Sequence, residues 1–412
     1  MTRFSNGKIK NLSKDFIYNI VASIILTGIM QIVVYPFLAS KLTGDAYGTL
    51  LTTMGIINTI IVSLGNTLNN VRLIMNSNYV KDNENGDFQI ILFASEALGI
   101  IASLIVTIFV FKLKIVQTVL LCLVVILGLA KSYYCVSFRL QLNFKLILLQ
   151  NVFGAIGYGL GIVVFFVLHE WPIPFLFAEL SQLIFVICVS SLWREPFAKT
   201  KRFAACTSKY FILILTGLSS SLILYLDRII IYPLIDGEAV SIYTIASVFG
   251  KSLGIIMTPI AGVLLSYYAQ IDFVMTVRRF RKTNIISLIF GAFFIVCTIF
   301  ISPIVTKLLY PSFYDQVSPF LFVANLAATI NVIGNLTQSA VLKYAPTWLQ
   351  IIKEAIYCLT YVLLGLLLLK PYGLFGFCIA SIVANSVKLL SLYIIGEFFI
   401  RRLKTNDGVS NE

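Results

Sequence analysis

The chain has 412 residues, of which 59% are hydrophobic and only 12% are charged. So apolar a composition favours a membrane protein over a soluble enzyme or binding module. The formal net charge of +13 is also compatible with nucleic-acid binding, but the positions of the positive residues argue against that partner, as shown below.

Apolar windows of about 20 residues, the length that crosses the bilayer core as a helix, recur along the whole chain. Each window is expected to be helical, because backbone amides find no water in lipid. The first window is longer than a signal-peptide core and lacks a following cleavage site, so we interpret it as a retained span. We predict 12 membrane-spanning helices, at 16–38, 48–69, 88–111, 115–137, 146–168, 172–193, 210–232, 239–268, 284–306, 317–341, 348–369 and 373–398.

The positive residues are distributed unevenly between the two ends of these spans. With the amino terminus placed in the cytoplasm, 22 of the 31 Lys and Arg residues fall at inner ends and 5 at outer ends. This bias follows the positive-inside rule and predicts an even number of helices with both termini in the cytoplasm. The remaining residues lie within spans: Lys131, Arg228, Lys251 and Lys388.

The sequence predicts no disulfide framework, metal site or other cofactor. Six of the seven cysteines fall in predicted spans and Cys206 falls in the central inner loop, so no outer pairing is expected. His169 is the only histidine, and no Cys/His spacing typical of a metal site is present.

The organisation predicts two related halves. Tyr35–Gly48 contains Tyr-Pro, then Gly-Asp-Ala, then Tyr, and Leu226–Ala246 repeats this order as Tyr-Pro, Gly-Glu-Ala and Tyr. The longest basic connection separates six spans from six. We therefore predict an amino-terminal six-helix bundle at 1–193, a cytoplasmic linker at 194–209, a carboxy-terminal six-helix bundle at 210–398 and a cytoplasmic tail at 399–412.

Charged and polar residues inside the spans are the candidates for function, because burying them in hydrocarbon is costly. Asp227 and Arg228 lie side by side in an apolar run, and Lys251 lies on a polar face of its helix. The candidate cations for substrate binding are Lys251, Arg228, Lys131, Lys388 and Arg72, in that order. The uncharged candidates for substrate binding are Asn58, Asn69, Ser247, Asn331 and Asn335, and the candidates for ion coupling or gating are Asp227, Glu179 and Glu96.

Each candidate also has a simpler structural interpretation. Arg72 and Lys131 lie towards the inner ends of their spans, where an ion pair or snorkelling explains a cation. Asparagine and serine often only hydrogen-bond between helices. Lys251, deep in its span and beside polar neighbours, favours a binding role, and Asp227 suits either a gate or a coupling site.

The pattern resembles the bacterial polysaccharide transporters, which are oligosaccharide flippases of the multidrug/oligosaccharidyl-lipid/polysaccharide (MOP) exporter superfamily. The resemblance covers nearly the whole chain but rests on short motifs. It implies an all-α integral membrane protein in which two pseudo-symmetric six-helix bundles surround a central cavity that opens alternately to each side, as in the multidrug transporters of the superfamily. The motifs are Asp227-Arg228, Gly237-Glu238-Ala239, Tyr243, Gln31, Tyr35-Pro36, Gly44, Tyr47-Gly48, Gly373-x-x-Gly376 and Ala380-Ser381.

The resemblance also implies a substrate and a location. The substrate would be an O-antigen or capsule repeat unit on undecaprenyl diphosphate, flipped from the cytoplasmic to the periplasmic leaflet of the inner membrane. Its sugars need hydrogen-bonding walls, and its diphosphate needs cations, either an arginine fork or a lysine point charge. Membrane lipid, a polysaccharide polymerase and a chain-length regulator would be partners, and the coupling ion is left open between H⁺ and Na⁺.

Three alternatives remain at this stage. A drug exporter of the same superfamily generally needs carboxylates against cationic drugs, whereas the deep charges here are mostly positive. A membrane O-antigen polymerase would be expected to carry a large outer loop with catalytic residues, and the outer loops here are short. A structural scaffold leaves the charges within the spans unexplained. We therefore expect a transporter and not an enzyme.

Overall fold

The computed structural model describes residues 20–82, 86–268 and 275–409, and this part of the chain is helical throughout, without strands. Short helical turns at Leu192–Arg194 and between Pro311 and Phe320 join longer helices. The long helices are α1 (Ile20–Lys41), α2 (Gly44–Lys81), α3 (Asp87–Val110), α4 (Ile115–Leu140), α5 (Phe144–Leu168), α6 (Ile173–Val189), α7 (Phe203–Leu224), α8 (Leu226–Leu234), α9 (Gly237–Tyr268), α10 (Val277–Leu309), α11 (Leu321–Tyr344) and α12 (Thr347–Val409).

These helices agree with the predicted spans. Within the described residues, 8 helical stretches are long and apolar enough to cross a membrane, by length and composition alone, and α6 and Phe203–Leu215 are shorter apolar helices. The longest stretch, Trp348–Arg402, has 55 residues and is long enough for two passes. Every predicted span corresponds to helix, although residues 16–19 of the first lie outside the described residues. The expected all-α membrane architecture is confirmed.

The helix α12 is divided by Gly373, whose φ of 57° and ψ of −147° are not helical. Side chains avoid this region of backbone space, so glycine permits the reversal here. The chain then returns closely on itself, since a Cβ at Gly376 would lie 2.1 Å from the carbonyl oxygen of Leu368. We call the two parts the first half (347–372) and the second half (374–409) of α12.

The Tyr-Pro elements distort their helices locally. Met30–Val34 forms a π-helical turn directly before Tyr35-Pro36. Proline has no N–H and its ring clashes with the carbonyl one turn earlier, and a wider turn relieves both problems. The related Pro233 lies inside α8, which is separated from α7 by a non-helical Tyr225.

The chain forms two compact units. The first unit comprises Met1–Lys41 and Thr49–Asp227, and the second comprises Leu42–Gly48 and Arg228–Glu412. α7 begins at Phe203, inside the segment 194–209 that we predicted as a linker, and it belongs to the first unit. The division at 1–193 and 210–398 concerns the two halves of the repeat and stays a prediction.

Each unit is held together by close helix packing. In the first unit, Gly157 and Gly161 let α5 approach α6, since a Cβ at either position would lie 2.5 Å from an α6 backbone atom. In the second unit, α9 packs on α11 through the buried side chains of Leu253, Met257 and Val332. Burial of one such side chain stabilises a soluble fold by about 1.5–3 kcal/mol, whereas packing inside a bilayer relies on van der Waals contact.

The two echoing motifs meet inside the second unit. The backbone N–H of Gly237 donates to the Asp45 side chain (3.1 Å), and the Ser241 hydroxyl donates to the Gly44 carbonyl (2.6 Å). A Cβ at Gly48 would lie 1.7 Å from the carbonyl oxygen of Gly237. This approach leaves no room for a side chain at Gly48, and a Cβ at Gly237 would itself lie 2.5 Å from the Asp45 carbonyl oxygen.

Candidate functional site

In the first unit, two of the candidate residues form an ion pair with each other. The Lys131 Nζ lies 2.7 Å from one carboxylate oxygen of Glu179 and donates to the other at 3.0 Å. The sequence placed Lys131 towards the inner side and Glu179 in the outer half of its span. The contact joins α4 to α6 and requires both side chains to lie at a similar depth.

Arg72 is held by the connection between α6 and α7 in the first unit. Its guanidinium binds both oxygens of Glu195, at 2.6 and 3.2 Å, and lies 4.6 Å from the ring centroid of Phe88. Both partners of the ion pair are largely buried. Burial raises the pKa of the Glu195 carboxyl above its ordinary value, and the adjacent Arg72 opposes this shift.

The same connection is fixed at two further points. Buried Asp87 accepts hydrogen bonds from Tyr79 (2.6 Å) and from the backbone N–H of Thr200 (2.7 Å). The Gln89 side chain donates to the Leu192 carbonyl at 2.7 Å. The residues around 192–200 are therefore anchored to the α2–α3 turn, and Arg72 belongs to that anchor.

The remaining polar candidates of the first unit differ in their contacts. Asn69 donates to the Ser132 carbonyl (2.8 Å) and accepts from Arg139 (2.8 Å), so it joins α2 to the end of α4. Asn58 and Glu96 are half-buried, and no hydrogen bond or ion pair of either side chain to the described residues is present. Glu96 thus contrasts with Glu179, which has a cation at contact distance.

In the second unit, Lys388 and Asn331 come together. Lys388 is only 8% exposed. Its Nζ donates to the Asn331 side-chain oxygen at 2.9 Å and lies 4.8 Å from the ring centroid of Tyr357. Both contacts are with neutral groups, which accept a hydrogen bond and offer a π-face but supply no negative charge.

A polar network continues from Lys388 and links α9, α11 and both halves of α12. Tyr357 donates to Asn385 (3.0 Å), and Asn385 donates to the Ala327 carbonyl (2.9 Å). Ser381 contacts the hydroxyls of Tyr361 (3.1 Å) and Tyr243 (3.3 Å). We call this set the second-unit cluster; its members are Tyr243, Asn331, Lys353, Glu354, Tyr357, Tyr361, Ser381, Asn385 and Lys388.

Lys251 lies at the edge of the second-unit cluster. Its Nζ is 5.5 Å from the ring centroid of Tyr243, and its side chain is exposed. The polar face predicted for this helix is partly buried. Ser247 on that face is enclosed, and its hydroxyl donates to the Thr244 carbonyl of the same helix at 3.1 Å. Asn335 is half-buried on α11, one turn after Asn331.

Asp227 and Arg228 are both buried, at 6% and 8% exposure. They occupy the first turn of α8, directly after the break at Tyr225. The boundary between the two units falls between them. The expectation that this charged pair faces a polar cavity or a partner stays a prediction.

Lys353 is a member of the second-unit cluster that the sequence did not single out. We counted it with the inner ends of the spans, but its side chain is 0% exposed and its Nζ lies 2.7 Å from Glu354. The signal that was available is its spacing: residues 353, 357 and 361 share one face of a helix. That face meets Ser381, Asn385 and Lys388 after the reversal at Gly373.

Metal chemistry has no support in the described ranges, which hold no group of three or more His, Cys, Asp or Glu able to bind an ion. A groove of about 720 Å³ lies at the amino end of α10, lined by Arg278, Arg281 and Lys282 with Ile285 and Ile286. Arg281 is paired there with Glu397. The groove contains none of the candidate residues.

Solved structures with a similar fold are membrane transporters. Lipid II flippase MurJ, in an inward closed conformation, is 15% identical, with a TM-score of 0.65 over 93% of this chain and 85% of its own. A multidrug resistance MATE family transporter of the MOP superfamily, inward-facing, is 13% identical, with a TM-score of 0.65 over 95% and 96%. The eukaryotic MATE transporter AtDTX14 is 13% identical, with a TM-score of 0.61 over 97% and 99%.

The sequence itself matches no family model and no curated protein. At these identities the likeness establishes the fold alone. The chain therefore has the fold of MOP superfamily transporters and is a multi-pass membrane protein. A flippase and a drug exporter are both among these similar structures, with the same TM-score of 0.65.

Proposed function

We propose that this protein is a flippase that moves undecaprenyl-diphosphate-linked oligosaccharide repeat units, of O-antigen or capsule, across the bacterial inner membrane by alternating access. The polar sugars cannot cross hydrocarbon unaided, and the diphosphate carries negative charge. A transporter for such a molecule needs buried cations and hydrogen-bonding walls on the same surface.

The observation that carries this proposal is the environment of Lys388. The described contacts of this buried ammonium group are an asparagine oxygen and a tyrosine ring, which do not neutralise its positive charge, so the group favours an anionic partner. A diphosphate satisfies that requirement, and a cationic drug would be repelled. Lys251, over Tyr243 at the edge of the same cluster, adds a second positive charge.

The roles of the candidates divide accordingly. We assign Lys388, Lys251 and Arg228 to the diphosphate, and Asn331, Asn335 and Asn58 to the sugars. Ser247 is enclosed and bonds within its own helix, so we propose a structural role for it. Arg72, Lys131 and Asn69 already have partners that join helices of the first unit, so we propose structural roles for them.

Coupling to H⁺ or Na⁺ is proposed to involve Asp227 or Glu96. Glu179 is neutralised by Lys131 and is the weaker candidate. A polysaccharide polymerase and a chain-length regulator would receive the product, and both termini would lie in the cytoplasm. These partners and this orientation follow from the proposed function.

The experiment is complementation of a strain that lacks its oligosaccharide flippase. The wild-type chain is expected to restore polymer export, whereas Lys251→Ala and Asp227→Ala are expected to abolish it at normal membrane levels. Ser252→Ala, which removes a hydroxyl bonded within its own helix, is the matched control and is expected to export normally. Full export by both charge variants would remove these residues from the mechanism.

A drug exporter of the same superfamily is the second candidate, favoured by the equal similarity to MATE transporters. Resistance to organic cations on overexpression, without rescue of polymer export, would establish that function instead. The predominance of positive charge in the second-unit cluster argues for the anionic substrate.

A further inference from the structure

The second-unit cluster contains more buried positive charge than negative charge. Lys353 and Lys388 are both buried, and Glu354 is the carboxylate that lies close to them. Glu354 contacts Lys353 directly at 2.7 Å, while the contacts of the Lys388 ammonium group among the described residues are with the neutral Asn331 and Tyr357. The cluster thus contains one carboxylate for two ammonium groups.

Burying an ion without its full counter-charge costs several kcal/mol in a protein interior. Such an arrangement persists where the charge has a use, and the simplest use is to attract an anion. The cluster supplies the remaining requirements of an anion site, since Tyr357, Asn385 and Asn331 carry side chains that bond to phosphate or sugar oxygens.

Glu354 is the exposed member of this charged group. Its side chain is 33% exposed, whereas that of Lys353 is 0% exposed. A carboxylate at the surface can turn away, and a phosphate oxygen then finds the same ammonium group. Lys353 itself moves little, because it lies seven residues into α12 and is fully packed.

We infer that Lys353, Glu354 and Lys388 form an anion-exchange site, in which the phosphate of a lipid-linked substrate replaces the Glu354 carboxylate beside Lys353 and is also bound by Lys388. This inference rests on the proposed function and identifies the part of the substrate that is bound. Glu354 acts as an internal counter-ion that competes with the phosphate, so its removal strengthens binding.

The test is isothermal titration of the purified full-length chain in detergent with farnesyl diphosphate, a short lipid diphosphate. Lys388→Gln and Lys353→Gln are each expected to weaken binding about tenfold or more, because each removes one charge-assisted contact. Glu354→Gln is expected to tighten binding about threefold to tenfold. Lys388→Arg is expected to retain most of the affinity.

Glu397→Gln is the matched control. It is the same substitution on the same helix, and Glu397 pairs with Arg281 and Arg401 away from the second-unit cluster. Its affinity for farnesyl diphosphate is expected to equal that of the wild type. Thermal unfolding of every variant verifies that the fold is retained, and a variant that does not fold is replaced by its Lys→Met or Glu→Met counterpart, which removes the charge and keeps an unbranched side chain.

Titration with farnesyl diphosphate, inorganic pyrophosphate and farnesol distinguishes a lipid-linked phosphate from free phosphate as the bound anion. Farnesyl diphosphate binding without inorganic pyrophosphate binding supports a lipid substrate, and equal binding of both indicates a site for free phosphate. Binding of farnesol at the affinity of farnesyl diphosphate would overturn the inference, as would weaker or unchanged binding in Glu354→Gln. If export is restored in the complementation assay while these affinities do not change, the exchange site is wrong and the flippase function stands.

Discussion

In the first unit, Arg72 and Lys131 are each paired with a carboxylate of their own, whereas in the second unit Glu354 is paired with Lys353 and the contacts of Lys388 are with neutral groups. The sequence showed four such cations as similar residues within or beside apolar spans. Their partners show how these cations differ. A cation paired with its own carboxylate forms a neutral pair that stabilises the fold, whereas a group with more cations than carboxylates can attract an anionic ligand. We therefore propose that the balance of charge around each cation distinguishes structural charges from functional ones better than depth in the membrane does.

Removal of the Lys388 ammonium is expected to have the largest effect on function. Lys388→Ala should abolish polymer export in a flippase-null strain, because the diphosphate loses its buried cation, while membrane levels stay normal. The measurement is polymer at the cell surface against protein in the membrane fraction. Wild-type export by this variant would mean that the two units do not differ in the way described.

Loss of a balanced pair is expected to affect stability instead. Arg72→Ala leaves Glu195 buried without its partner, which costs about 3–5 kcal/mol in comparable buried pairs and should lower the thermal unfolding midpoint and the membrane level. The double variant Arg72→Met/Glu195→Met should recover much of that loss. An unchanged midpoint in Arg72→Ala would show that the pair does not anchor the connection between α6 and α7.

The Lys131 pair provides a milder version of the same test. Lys131→Gln leaves a partly buried Glu179 with an amide for a partner and is expected to destabilise the chain by about 1–3 kcal/mol. The double variant Lys131→Gln/Glu179→Gln should restore the unfolding midpoint and retain export. If the double variant folds normally but does not export, the first unit also contains binding or coupling charges.

The helices were predictable from the sequence because hydropathy alone forces them in lipid. The polar extension of α2 to Lys81 was not predicted, since no apolar window covers it. The contact between Gly48 and Gly237 was foreshadowed by the repeated motif, but its closeness depends on tertiary packing.

The site was predictable only in part. Lys388, Asn331 and Lys251 were identified by their charge or polarity within a span. Lys353 was assigned to an inner end, because the fold-back at Gly373 that buries it is not visible in hydropathy. The sequence placed Lys131 and Glu179 at different depths, although their side chains are in contact. α4 is 26 residues long and α6 only 17, so counting residues from the end of each helix does not give the same depth in both.

The most direct test of the unbalanced charge is transport by the purified chain in proteoliposomes. Two lipid-linked sugars are compared that share one sugar and one polyprenyl chain, where one carries a diphosphate and the other a neutral linkage. The account predicts rapid flipping of the diphosphate form and, for the neutral form, a rate at least about tenfold lower. Equal rates for the two lipids, or faster transport of an organic cation than of either, would contradict it.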